Sequence, residues 1–464
     1  MFNSEIYSTR RRKLRGNVKS GLGLFIGNVD SPINYPANCY HFRQDSDFLY
    51  FFGLDFPGLA GIIDFDSGEE MIFGNDFDID DIVWMGPQPE VKELAAKCAI
   101  NETYPLDKLQ ETIGMAIEKK RKIHFLPPYR GETKITLGAL LNQNPCQLKE
   151  LASEELIKAV IALRSIKEPI ETDEIDKAIG IAYDMHVTAM KMCKPGIKEQ
   201  QIFGVIEGLA LAQGAGTSFP TILSINGQTL HNHVHNNILR NGRMMVTDAG
   251  AETELRYASD ITRTTPVGGK FTSVQKDIYE VVLKANIETI KAARPGISYK
   301  DLHIYACRII TQGLKELGFM KGDVEEAVAA GAHALFMPHG IGHMLGLDVH
   351  DMEGLGENYV GYNDKVQRSD QFGMSFLRFA LECKPYHVFT IEPGCYFIPQ
   401  LIDRWEAEGK FREFINYDIV DKQRDFGGIR VEDNIVITDT GHRVLGKPIP
   451  KTVKEIEEVC SMTQ

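Results

Sequence analysis

The sequence has no Cys-x-x-Cys pair, only two tryptophans in 464 residues, and no apolar run approaching the ~18 residues that a membrane helix needs. Each absence excludes something. The eight cysteines (Cys39, Cys98, Cys146, Cys193, Cys307, Cys383, Cys395 and Cys460) are scattered, which rules out a zinc ribbon and a thioredoxin-like redox motif. Reduced thiols in a cytoplasmic protein are the expectation. No secretory h-region is present, since the apolar stretch 21–26 is too short. Surplus positive charge is also missing. Lys plus Arg number 51 against 64 Asp plus Glu, a net charge of −13, which argues against nucleic acid and anionic membrane as partners. Arg10-Arg11-Arg12-Lys13, the one basic cluster, reads as a solvated helix face. Repeats at solenoid periods and low-complexity tracts are absent.

What is there is an ordinary globular composition, 43% hydrophobic and 25% charged, long enough to bury an ample core. Short apolar runs at 22–26, 61–65, 71–73 and 122–126 alternate with helical patterns at 90–100 and 105–120, which predicts an amino-terminal α/β domain. An amphipathic stretch over 150–166 follows, and Thr172 reads as a fresh helix start. These signals divide the chain into domains 1–165 and 166–464. Beyond the boundary, helices are expected at 173–192, 198–213, 273–293, 299–317 and 322–334, with strands at 243–248, 386–392 and 428–438. The mixture reads as α+β.

Five residues on these strands and turns carry the chemistry. Asp248 ends the apolar run Met244–Thr247 and precedes Ala-Gly, while Asp260 opens the β-branched segment Ile-Thr-Arg-Thr. His343 lies in Pro338-His-Gly-Ile-Gly-His343, Glu392 is cut off by Pro393-Gly394, and Glu432 sits in Gly428-Ile-Arg-Val-Glu432. Strand alternation puts Arg430 and Glu432 on one face. Any one of these acids taken alone reads as a solvated or salt-bridged residue rather than a ligand; their joint occurrence in order is the signal. Four carboxylates and an imidazole form a hard, oxygen-rich donor set suited to Mn²⁺, Co²⁺, Fe²⁺ or Zn²⁺. Two divalent ions balance four negative charges and would let a water ionise near neutral pH and attack a carbonyl.

The ordered set Asp-Ala-Gly, Ser-Asp-Ile-Thr-Arg-Thr, His-Gly-x-Gly-His, Thr-Ile-Glu-Pro-Gly and Gly-Ile-Arg-Val-Glu-Asp resembles the pita-bread metallopeptidases, in their aminopeptidase P and prolidase branch. The stretch from His41 to Tyr50 is similar to that branch's amino-terminal signature. The resemblance implies a pita-bread catalytic domain at 166–464 behind a smaller α/β domain, and two divalent ions, Mn²⁺ first, with Co²⁺, Zn²⁺ or Fe²⁺ as alternatives. It implies that Asp248 chelates one ion, that His343 and Glu392 serve the other, and that Asp260 and Glu432 bridge them. Glu392 would also handle the proton of the attacking water. His231 matches a catalytic histidine upstream of the first Asp, and His350 one that stabilises the scissile carbonyl. His339 and Arg430 match positions that support substrate. Arg378 falls where prolidases grip the substrate carboxylate, or is a plain surface arginine. His233 and His235 invite a His-x-His-x-His metal reading that the resemblance supports only at His231.

Two departures stand out. Asp248 and Asp260 are twelve apart, one more than the family pattern, so a longer turn or β-bulge between 251 and 258 is expected to restore their facing. The stretch Leu381–His387 replaces a tighter Pro-Gly turn. The function implied is a hydrolase releasing the residue ahead of a proline in second position, an Xaa-Pro aminopeptidase. The segment 397–427 looks more like prolidase, an Xaa-Pro dipeptidase. A catalytically inactive protein-binding relative would have lost the ligands; a creatinase-like enzyme lacks this metal set, and a methionine aminopeptidase has no need of residues 1–160. Trp84 admits two readings, core packing or a contact with a neighbouring subunit in a homodimer or higher homo-oligomer.

Overall fold

The computed structural model describes residues 1–462 and resolves into two compact units, Met1–Arg164 with Met352–Val360, and Ser165–Asp351 with the chain from Gly361 onward. The apolar runs of the first half form a sheet because each is short, bounded by Gly or Asp, and rich in Ile, Leu and Phe. Its strand order is Glu102–Tyr104, Glu70–Phe73, Ala60–Asp64, Leu22–Ile26, Ile123–His124. The three central strands are antiparallel and the two outer ones run parallel to their neighbours. Helix Asp107–Glu118 lays Leu109 and Ile113 against Leu24 and Ile62. The Glu102–Tyr104 strand was not expected; it is a polar edge strand with no apolar run to betray it.

The basic cluster corrects an expectation. Arg10 and Arg11 are not solvated but buried. Arg11 pairs with Glu70 at 2.7 Å and donates to the carbonyls of Phe51 and Cys98, so its burial is matched by partners. The His41–Tyr50 signature is architectural as well. Gln44 is fully buried, its Oε1 accepting from the backbone N–H of Asn28 and Asp45, and Asp45 caps helix Ser46–Phe52. Trp84 lies on helix Ile79–Met85, which buries no residue, and is 87% exposed; core packing is not its role.

The second unit is α+β. Two three-stranded antiparallel sheets, Ile261–Pro266/Met244–Ala249/Ile222–Ser224 and Val388–Ile391/Asp433–Ile437/His442–Val444, are joined by two strand pairs, Gly394–Tyr396 with Gly428–Arg430 and Gly216–Thr217 with Ala251–Glu252. Helices Pro169–Met192 and Glu199–Gln213 pack Met185, Ile202 and Ile206 against Leu223, Met245 and Ala249. The first of these begins earlier than expected: Pro169 occupies the first turn behind a Glu168–Glu171 capping box, leaving Thr172 inside the helix. The expected 428–438 strand is broken at Val431–Glu432 and its halves enter different sheets. The expected helix 322–334 is a short one, Val324–Ala330, followed by a 3₁₀ turn, Ala332–Leu335. Among the described residues no helix is long and apolar enough to cross a membrane.

Candidate metal centre

Asp248 and Asp260 are brought together by one hairpin. Asp248 stands opposite Thr262 and Ala249 opposite Ile261. Farther along, Ser259 N–H donates to the Ala251 carbonyl, Glu252 bridges Ala258, and Thr253 N–H donates to the Tyr257 carbonyl, all in the same register. No bulge interrupts the ladder. The turn alone absorbs the extra residue, as a three-residue loop, 254–256, closed by Arg256 at φ +68°. Asp260 therefore shares a face with Thr262, and so with Asp248. The strands come very close here: a Cβ on Gly250 would lie 1.8 Å from the Ser259 carbonyl oxygen.

The other three groups arrive from separate loops. The ring Nδ1 of His343 is 2.9 Å from the Met344 carbonyl, which can only accept, so Nδ1 carries the proton and Nε2 the lone pair. That Nε2 lies 3.2 Å from Asp260 Oδ2 and 3.6 Å from Glu392 Oε1. Glu392 directly follows strand Val388–Ile391, its N–H held by the Ile341 carbonyl. Glu432 sits in the strand break, and Thr262 Oγ1 donates to its Oε2 at 2.7 Å. Arg430 Nη2 reaches Asp248 Oδ2 at 2.5 Å, its Nε donates to Thr262 Oγ1, and its Nη1 donates to the Tyr396 hydroxyl. That hydroxyl in turn contacts His339 Nε2 at 3.0 Å, while His339 Nδ1 donates to the Gly340 carbonyl. Burial, with Arg430 nearby, lowers His339 to about 4, so its ring is neutral.

All of these groups except Thr262 and Tyr396 line one cavity of about 790 Å³, together with His231, His350, Arg378 and apolar Phe219, Leu230 and Ile398. The rings of His350 and His343 are 4.2 Å apart. Arg378 is on the cavity wall and half-buried, not on open surface. His233 also reaches the cavity, but His235 turns away: its Nδ1 bonds the Leu223 carbonyl and its ring stacks on Phe203, which removes the His-x-His-x-His reading. Sequence reasoning missed Thr262, Tyr396 and Asn434. Asn434 pins the Asp260 backbone, accepting from its N–H and donating to its carbonyl. Thr262 and Asn434 each lie two residues past a candidate ligand, a period-two signal that could have found them; Tyr396 offered none.

The electrostatics are those of a cation site. Burial pushes Asp260 and Glu432 well above the usual carboxylate range, reinforced by the neighbouring acids, and raises Glu392 to about 7. Asp248 Oδ1, Asp260 Oδ1 and Glu432 Oε1 are buried with no hydrogen-bond partner. Unpartnered carboxylate oxygens beside an imidazole lone pair are costly alone and are what a divalent cation satisfies. The residues fit metal.

The comparisons agree with that chemistry. The profile of Metallopeptidase family M24 matches residues 173–439, and that of the aminopeptidase P N-terminal domain matches residues 7–124. The chain is 32% identical over 427 residues to the Xaa-Pro dipeptidase of Homo sapiens, covering 90% of this chain and 84% of that one. It is 31% identical over 428 residues to a probable Xaa-Pro aminopeptidase of Sordaria macrospora, covering 91% and 87%. The structure of Escherichia coli aminopeptidase P in complex with substrate superposes with a TM-score of 0.81 at 27% identity, covering 99% of this chain and 98% of that one. A metal-dependent hydrolase of α+β architecture is the class that fold and site define. The chain belongs to metallopeptidase family M24, in its aminopeptidase P and prolidase branch.

Proposed function

We propose that this metallopeptidase is an Xaa-Pro aminopeptidase, releasing the first residue of peptides whose second residue is proline. The observation that carries the reading is the cavity. At about 790 Å³ it lies high in the roughly 300–1,000 Å³ range of small-molecule sites, with room for a peptide longer than two residues. Proline lacks an amide N–H and restricts the bond before it, so its hydrolysis calls for a dedicated shape. The apolar wall of Phe219, Leu230 and Ile398 suits that ring.

Asp248, Asp260, His343, Glu392 and Glu432 would hold two divalent ions, Mn²⁺ in our reading. Such ions supply Lewis acidity toward a peptide carbonyl and make a water acidic enough to ionise near neutral pH. Glu392, which lines the cavity beside Asp248, Asp260, Glu432 and His343, takes the proton of the attacking water and passes it to the leaving proline nitrogen. His350 would donate to the carbonyl oxygen as charge develops on it, and His231 would orient the substrate; both line the cavity. Neutral His339, Tyr396 and Arg430 form a hydrogen-bonded chain that ends on Asp248 Oδ2 and aims that carboxylate.

One observation favours a second reading, an Xaa-Pro dipeptidase: Arg378 on the wall could clamp a dipeptide's carboxylate. Hydrolysis of Ala-Pro against Ala-Pro-Ala separates the two. The aminopeptidase reading expects the tripeptide to be cleaved and Arg378→Ala to leave its KM within a few-fold. Cleavage of Ala-Pro alone, lost in Arg378→Ala, would overturn it. The scattered free cysteines support a cytoplasmic location, and exposed Ile79, Val83 and Trp84 support self-association. The same reading assigns 1–165 to an amino-terminal domain and 166–464 to the catalytic one.

A further inference from the structure

A second set of ligating side chains converges away from the carboxylate cavity. His303 and Cys307 stand one turn apart on the buried face of helix Tyr299–Glu316. His333 comes from the 3₁₀ turn Ala332–Leu335, which the chain enters through Gly331 at φ +89°, a backbone state that glycine adopts without strain. All three are essentially inaccessible to solvent. One ligating atom of each lies within 4.8 Å of the other two, and Cys307 Sγ is 3.5 Å from His303 Nε2. Metal–sulfur and metal–nitrogen bonds of about 2.3 and 2.0–2.1 Å at a tetrahedral angle set an S···N edge of about 3.6 Å.

The polar atoms of this cluster are poorly served by the rest of the protein. Both ring nitrogens of His333 and Nδ1 of His303 are buried without a hydrogen-bond partner. A buried imidazole that gives up its hydration and gains nothing is unfavourable, and an ion taking one nitrogen of each ring would supply His333 with a partner that it otherwise lacks. Burial also holds both rings neutral, His303 down to about 3 and His333 to about 4, so each keeps a lone pair at neutral pH.

We propose that His303, Cys307 and His333 form a buried site for one thiophilic d¹⁰ ion, Zn²⁺ or Cu⁺, distinct from the carboxylate centre. The donor set is soft where the other centre is hard, so the two sort different ions. On binding, the Cys307 S–H bond is replaced by a sulfur–metal bond and its proton leaves to solvent; no electron is transferred. Cu⁺ with one thiolate and two neutral imidazoles is uncharged, whereas Zn²⁺ retains one positive charge and takes a fourth ligand. The ion would tie helix Tyr299–Glu316 to the turn that leads into His339 and His343, with the Met337 N–H on the His333 carbonyl as the next link. It acts as a staple for that segment rather than as a participant in hydrolysis.

The test uses cobalt as a spectroscopic probe of the full-length protein. Produced in Co²⁺-supplemented medium, the protein should show a near-ultraviolet sulfur-to-cobalt charge-transfer band, which a carboxylate–imidazole centre cannot give. The band should vanish in Cys307→Ser and persist in Cys146→Ser. Elemental analysis of protein from ordinary medium, dialysed against chelator, should find one retained ion per chain that Cys307→Ser lacks; its identity decides between zinc and copper. Absence of both the band and a retained ion in the unmutated protein would overturn the proposal, as would a band unchanged in Cys307→Ser. The unmutated protein decides alone if that variant does not fold.

Discussion

On the proposed reading two demands meet at Glu392: a carboxylate that helps hold cations, and a group able to take and return a proton near neutral pH. Burial raises it to about 7 in the metal-free protein, and the nearby Asp260 and Asp248 push the same way. Glu392→Ala removes both roles and should lower kcat at least ~10³-fold, within the range attributed to a general acid–base group. The far-ultraviolet circular dichroism should stay unchanged, because Glu392 makes few fold contacts beyond Thr390. Loss of the fold would mean that its role is structural. Arg430 is the converse case. Its guanidinium holds Asp248, Thr262 and Tyr396 at once, all within the protein interior. Arg430→Gln leaves an unpaired buried carboxylate and should cost about 3–5 kcal/mol in the metal-free protein, read from urea unfolding.

At the scale of elements, the hairpin 244–266 is what makes two aspartates into a pair. Its facing depends on the loop at 254–256 and on the close approach at Gly250. Gly250→Ala drives a methyl into the Ser259 carbonyl. It should destabilise by about 1–3 kcal/mol and lower the number of divalent ions retained, measured by unfolding and by elemental analysis. Normal metal content and stability would show that the hairpin tolerates splaying. The order of acidic and histidine residues was legible in the sequence because strand ends and Pro-Gly stops fix where a side chain can point. So was the facing requirement at Asp248 and Asp260, and of the two means expected, a longer turn or a bulge, the turn at 254–256 is the one found. The split at Val431–Glu432 was hidden because both halves are β-branched and read as one strand. Arg10 and Arg11 misled for a different reason: nothing local announces that Glu70 and two distant carbonyls receive a guanidinium. Tyr396 likewise joins the site only through the pairing of Gly394–Tyr396 with Gly428–Arg430.

For the whole molecule, the buried acids couple metal to stability. Asp260 and Glu432 ionise near pH ~4 when unfolded, yet are held well above that when folded and metal-free. Below ~4 both states are protonated and these groups cost nothing; as pH rises, the unfolded chain ionises first and the folded state loses stability. Bound cations reverse this penalty. The gap in Tm between metal-loaded and chelated protein should therefore widen from about pH 5 to about pH 8, and a gap that narrows would contradict the assignment. Asp433, held down to about 2 by Arg263 and Lys451 despite its burial, adds stability that is lost only as pH falls from about 4 toward 2, below this window. Asp248, Asp260, His343, Glu392 and Glu432 are proposed to make a two-ion hydrolytic centre, which one titration can check. Chelated protein is given Mn²⁺ while Ala-Pro-Ala cleavage and bound metal are followed together. That centre should give no cleavage without metal and full activity when two ions per chain are bound. Activity that survives complete chelation would contradict it.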